Sequence, residues 1–310
     1  GRELLALESS PWRGGTDGEF TADERKRRIE ELQSRIALYE NDDDRGIQAS
    51  VAAWLSELGN HFYFLGFLDE AERLHERALE FHKRLDDRKG VAGDYGNLGL
   101  IYRTRGNLDE AERMHREALE IHERLGQRSA LAIDLGNLGV IQLCRGNLTQ
   151  AEQMFRKSLE IEESLGNREG MASDYANLGL IYRRRGNLDQ AAKMLRKCLE
   201  IEERFGRQDG MVVTYGNLGL VYQTSGDLDE AEKMQRKSLE IAERLGRREA
   251  SATAFANLGL IFSRRGNIAL SREYWRKACD LYARIGVPDM VKQVEEWLQT
   301  LPRDESESGQ

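Results

Sequence analysis

Cysteine is scarce: Cys144, Cys198 and Cys279 are an odd, widely spaced set in 310 residues, with no CxxC pair among them. That excludes a disulfide framework and a zinc knuckle, and three free thiols are expected. No apolar run approaches the length of a membrane span, and the N-terminus lacks the basic, apolar and small-residue order of a secretory signal. A cytoplasmic location without a membrane partner follows as the expectation. A basic block is missing as well: 46 Lys and Arg stand against 54 Asp and Glu, a net charge of -8, which argues against a nucleic-acid partner. The recurrent Gly-Asn-Leu is not followed by Lys-Ser or Lys-Thr, so it is no phosphate-cradling loop. No Ser-His-Asp or Cys-His set can be nominated either. These absences point away from an enzyme, a cofactor or a metal.

What the chain has in abundance is repetition. Tyr95 to Ala111, closing with Ala118, Leu125 and Gly126, recurs every 40 residues. Its Leu-Gly pair appears as Leu58-Gly59, Leu98-Gly99, Leu138-Gly139, Leu178-Gly179, Leu218-Gly219 and Leu258-Gly259. Six copies result, at 51–90, 91–130, 131–170, 171–210, 211–250 and 251–290. A fixed period of this size marks a solenoid, in which each unit buries its apolar face only against its neighbours. Each copy reads as two helices. In the second, helix A runs from about 93 to 105, Gly106 takes the left-handed turn position, and Asn107 with Glu110 forms a capping box for helix B. Asn147 with Gln150, Asn187 with Gln190 and Asp227 with Glu230 repeat that pairing. In the last copy Ser271 replaces the small Ala111-type residue, as suits a terminal unit.

The repeats are flanked at both ends. Thr21-Ala-Asp-Glu24 is a capping box opening a helix with Ile29, Leu32, Ile36 and Tyr39 on one stripe, so 21–46 reads as an N-terminal capping helix and loop. Met290, Val294, Trp297 and Leu298 form the stripe of a C-terminal capping helix at 289–301. Residues 1–20 and 302–310 are expected to be disordered tails. The total is about fourteen helices and no strand.

The pattern Tyr95-x-x-Leu98-Gly99-x-x-Tyr102, then Ala111 and Ala118, resembles the tetratricopeptide repeat, with His115 at the usual large position and the usual late proline missing. The 40-residue unit with Asn-Leu-Gly looks like the kinesin light chain subclass. The resemblance implies an all-α, right-handed superhelix of helix-turn-helix units, used in scaffolds, chaperone adaptors and the sensor arms of signalling proteins.

Helical spacing puts Gly93, Asn97, Leu100 and Thr104 on one stripe of helix A, opposite Tyr95, Leu98, Gly99 and Tyr102. The first stripe is assigned to the inner, concave wall. There one column is nearly constant: Asn97, Asn137, Asn177, Asn217 and Asn257, with Glu57 in the first copy. Each amide offers a donor and an acceptor, so a row of them suits the backbone of an extended peptide. The resembling families use Asn at this place in that way. Next to it the end of helix A varies from copy to copy: Tyr63-Phe64, Arg103-Thr104, Leu143-Cys144, Arg183-Arg184, Gln223-Thr224 and Ser263-Arg264. Arg103, Arg183, Arg184 and Arg264 favour an acidic segment, because Arg pairs carboxylates bidentately. Leu100, Val140, Leu180 and Leu220 offer an apolar floor. The almost uniform column of Arg105, Arg145, Arg185, Ser225 and Arg265 is read as compensation of the helix dipole. His75, His82, His115 and His122 are read as packing residues, since positions seven apart on a helix cannot share one ion.

The expectation is thus a protein or peptide-binding scaffold, taking an acidic segment in its groove as a monomer or weak homo-oligomer. A regulatory sensor arm of a larger signalling ATPase or protease is the alternative, and self-assembly a further one.

Overall fold

The computed structural model describes residues 21–302, so the tails expected at 1–20 and 303–310 lie outside the described residues. Fourteen α-helices and no strand occur among those residues. They are α1 (Ala22–Tyr39), α2 (Arg45–Phe64), α3 (Leu68–Leu85), α4 (Arg88–Thr104), α5 (Leu108–Arg124), α6 (Arg128–Cys144) and α7 (Leu148–Leu165). Then come α8 (Arg168–Arg184), α9 (Leu188–Arg204), α10 (Gln208–Ser225), α11 (Leu228–Arg244), α12 (Arg248–Arg264), α13 (Ile268–Ile285) and α14 (Pro288–Gln299). They form an α-solenoid of helix-turn-helix units with an extra helix at each end. The described chain divides into two compact units, 21–170 and 171–302.

In the first unit each helix from α1 to α6 packs on its successor, and the A helices also touch each other, α2 on α4 and α4 on α6. In the second, α9 to α14 pack in the same succession and α10 touches α12. The constant glycine of the Leu-Gly pair sets how closely A and B helices approach. A Cβ on Gly99 would lie 2.6 Å from His115 Nε2, and one on Gly139 would lie 2.9 Å from Phe155 Cζ. The facing side chain changes from His75 and His115 to Phe155, Leu195, Gln235 and Trp275, yet the glycine stays, because each fills the same slot. The Ala111 column is fully buried in the same contact. Ser271 is its last member, and it spends its hydroxyl on Gly259 O at 2.9 Å.

The hairpin turns depart from the expected box. Gly106 takes φ of 80° as anticipated, but helix α5 begins at Leu108 with Asn107 making no side-chain cap bond, and Asn147 makes none either. Asn147 Nδ2 donates instead to Gln142 Oε1 at 2.9 Å. Only Asn187, Asp227 and Asn267 accept from the backbone N–H three residues on, at 3.1 to 3.3 Å. Backbone bonds such as Asn107 N–H to Tyr102 O and Asn147 N–H to Gln142 O close the turns that lack a side-chain cap.

Both ends of the array are covered. In α1 the Thr21 and Glu24 box is reciprocal, and Leu32 and Ile36 bury against Val51, Leu55 and Leu58 of α2. Arg28 of α1 reaches Glu57, the residue in the Asn column of the first repeat, through Nε at 2.6 Å and Nη2 at 2.9 Å. In α14, Val294 and Trp297 bury against Trp275 and Tyr282, the two indoles 5.8 Å apart.

Candidate functional site

The A helices carry the predicted site, and its columns lie at different depths. Asn137, Asn177, Asn217 and Asn257 are all less than one-tenth exposed, and Asn97 alone is half-buried. Asn177 Nδ2 donates to Ser173 O at 3.0 Å, one turn back on its own helix. Asn257 keeps a buried Oδ1 with no donor. Of the apolar floor, Leu100 and Leu220 are buried between helices, while Val140 and Leu180 remain half-exposed. The floor is therefore narrower than the spacing suggests.

At the C-terminal ends of two neighbouring pairs of A helices, residues 41 positions apart meet. Tyr63 Oη lies 3.0 Å from Thr104 Oγ1, and Arg264 Nη1 donates to Gln223 O at 2.6 Å. Arg103 and Arg183 are half-buried, whereas Arg184 and Arg264 are exposed. Arg183 holds a buried Nε with no hydrogen bond. Burial, followed by the like charge of Arg184, pulls its pKa below the ordinary guanidinium value, and no carboxylate offsets either effect. Charge is also unevenly divided. Residues 21–170 hold 22 Lys and Arg against 29 Asp and Glu, a net -7, whereas residues 171–302 hold 21 against 18, a net +3. Arg183, Arg184 and Arg264 thus sit in the more basic unit, and Arg103 in the more acidic one.

The sequence profile of the tetratricopeptide repeat matches residues 50–124, 129–204 and 210–284. The chain belongs to the tetratricopeptide repeat family. A search of curated proteins finds no match. Among solved structures, BtubC (BKLC) from P. vanneervenii is similar at 25% identity and a TM-score of 0.62, over 73% of this chain and 93% of that one. A signal transduction ATPase with numerous domains from Pyrococcus horikoshii, which carries a tetratricopeptide repeat sensor, aligns at 16% identity and a TM-score of 0.66 over 90% of this chain and 44% of its own. A Rap protein complexed with Competence and Sporulation Factor aligns at 13% identity and 0.61, over 91% and 87%.

Two further columns of the tetratricopeptide repeats have roles that spacing did not reveal. The Arg105 column does more than face the helix dipole. Arg105 pairs with Asp69 and Glu72 of the preceding helix B, Arg145 with Asp109 and Glu112, and Arg265 with Asp229 and Glu232. Each is an ionic staple between successive repeats, so Asp109 serves its neighbour as well as its own helix.

The histidines are likewise more than packing residues. His75 and His115 are fully buried, and each shares a buried carboxylate with the histidine seven residues on. Asp94 receives His75 Nδ1 at 3.1 Å, His82 Nδ1 at 2.7 Å and Ser56 Oγ at 2.8 Å. Asp134 receives His122 Nδ1 at 2.6 Å, with His115 Nδ1 at 3.6 Å. Burial alone would raise the Asp94 pKa, but the bonds from His75 and His82 hold it below its ordinary value. Among the described residues no group of His, Cys, Asp and Glu is placed to hold a metal ion. Sequence reasoning missed Asp94 and Asp134 because they lie 12 and 19 residues from their histidines and on another helix. The signal available was that both carboxylates stand at one place in consecutive copies. Of the thiols, Cys144 is exposed, Cys279 half-buried and Cys198 buried, 3.3 Å from Thr214 Oγ1. No helix among the described residues is long and apolar enough to cross a membrane.

Proposed function

We propose that this chain is a protein-interaction module whose A-helix face in the 171–302 unit takes an acidic segment of a partner. Arg183 carries the reading. A half-buried guanidinium that has lost part of its hydration without gaining a carboxylate is a costly arrangement, relieved when a ligand supplies the anion. Arg184 and Arg264 add exposed positive charge at equivalent ends of α8 and α12. Asn177, Asn217 and Asn257 line the same helices and would serve the ligand backbone; Asn97, Asn137 and Arg103 are their counterparts in the more acidic unit. The complex of a Rap protein with Competence and Sporulation Factor lends support by analogy of fold.

Peptide display against the whole chain tests the reading, followed by titration of selected peptides at low and high salt. Selected peptides should be rich in Asp and Glu, and Arg183→Glu with Arg184→Glu should remove chiefly the salt-sensitive part of the affinity. Selection of peptides without acidic residues would refute it. A second reading, the sensor arm of a larger signalling protein, is favoured by the likeness to the sensor-bearing signal transduction ATPase. An upstream reading frame encoding a nucleotide-binding domain would support that alternative.

A further inference from the structure

The turn between α2 and α3 differs from every other turn between a helix A and its helix B. Its backbone is the common one: Gly66 takes φ of 80°, its N–H donates to Tyr63 O at 2.9 Å, and Phe67 N–H donates to Phe62 O at 2.9 Å. Its side chains are not. Phe64, Leu65 and Phe67 stand where the second repeat has Thr104, Arg105 and Asn107, and where the fifth has Thr224, Ser225 and Asp227. The turn itself therefore requires no apolar residue at these places. Phe67 meets Phe62 edge-on at 6.0 Å, yet it stays 57% exposed, and Leu65, two residues away, stays 49% exposed. Single exposed apolar residues are ordinary, whereas adjoining ones of this size mark a surface that something covers. The rim of the patch is cationic. Arg25 of α1 stacks over the Phe64 ring at 5.1 Å, with Nη1 3.3 Å from His61 Nδ1, and Lys26 and Arg27 beside it are exposed.

We propose that Phe64, Leu65 and Phe67 form a docking surface for this chain's own residues 11–20, anchored by Trp12 and held beside Lys26 and Arg27 by Asp17 and Glu19. The path of the chain supports this occupant. Thr21 caps α1 one turn, about 6 Å, before Arg25, so residues 11–20 join the molecule at the patch itself. Trp12 lies nine residues before Thr21, and about 3.3 Å per residue gives it a reach of about 30 Å. Composition agrees: residues 11–20 hold two large aromatics, Trp12 and Phe20, and two carboxylates against one cation, Arg13. They thus carry both the apolar area to cover Leu65 and Phe67 and the charge opposite to Lys26 and Arg27. An indole suits such a site, because it buries a large area with little loss of rotamer freedom. An anchored segment would replace the disordered one that composition suggests, and it leaves the acidic-ligand face of the 171–302 unit untouched.

The test uses the full chain and chymotrypsin, with cleavage after Trp12 followed by mass spectrometry. Docking is expected to slow that cleavage about tenfold relative to Leu65→Ser with Phe67→Asn, a variant built from residues that other repeats carry at these places. Lys26→Glu with Arg27→Glu, on the exposed side of α1, should speed cleavage about twofold at low salt and leave it unchanged at high salt. Circular dichroism checks that each variant keeps its helices, and Phe67→Asn alone keeps the readout should the paired change disturb packing. Equal cleavage rates in the chain and in its Leu65 and Phe67 variants would overturn the docking. Protection that grows with protein concentration would overturn it too, since the cover would then come from a second copy.

Discussion

One junction between repeats lacks its ionic staple, and restoring it tests how these units are held together. Where Arg105, Arg145 and Arg265 stand, α10 ends in Ser225; where Glu72, Glu112 and Glu232 stand, α9 has Ala192. Both halves of the pair are thus missing from the same junction, although Asp189 keeps the place of Asp69 and Asp229. Ser225 now bonds only Tyr222 O at 2.9 Å, and Arg196 leans on Tyr222 Oη at 2.5 Å. In the double variant Ala192→Glu with Ser225→Arg, the introduced guanidinium would reach both Asp189 and the introduced carboxylate. Arg196 would then turn back to that carboxylate, as Arg236 does to Glu232 at 2.7 Å. The intact pair of Arg265 with Glu232 is 26% and 20% exposed, so solvent screening limits each such bridge to about 0.2–1 kcal/mol. A coupling of about 0.5–1 kcal/mol between the two substitutions is expected in a double-mutant cycle. Because repeat arrays open locally, amide exchange across α9 and α10 is the assay of choice, repeated at high salt. A coupling of zero, or one that salt does not reduce, would refute the staple.

Gly99→Ala should cost about 1–3 kcal/mol in denaturant unfolding. The new Cβ would sit 2.6 Å from His115 Nε2, and an unchanged midpoint would show that the ring moves freely. Burial depresses the His115 pKa below its ordinary 6.5, aided by the charge of Arg103 and opposed by Asp134. The unfolded chain therefore binds this proton more readily, so the contribution of His115 is complete above pH 6.5 and lost as pH falls below it. His115→Phe, which copies the Phe155 of the next repeat, should flatten that acid slope, and parallel pH curves for the two proteins would contradict the assignment. Truncation before Pro288 should reduce solubility, because loss of Trp297 and Val294 leaves Trp275 and Tyr282 uncovered; a monodisperse product in light scattering would show α14 to be dispensable.

The period of 40 residues, the Leu-Gly pair and the amphipathic stripes at both ends determined the fold class by themselves. These are local signals: a glycine after each helix A, a small residue where helices touch, and apolar residues at helical spacing are written within a few turns of where they act. The variable ends of the A helices were equally legible, as were their Arg residues. Tertiary structure alone decided which polar groups are satisfied. Asp94 and its two histidines, Arg105 with Asp69 and Glu72, and Gln223 beneath Arg264 each join residues from different helices. Their partners are set by how successive repeats stack, and whether a polar group is paired or left without a partner depends on that stacking, which a repeat read one copy at a time does not contain.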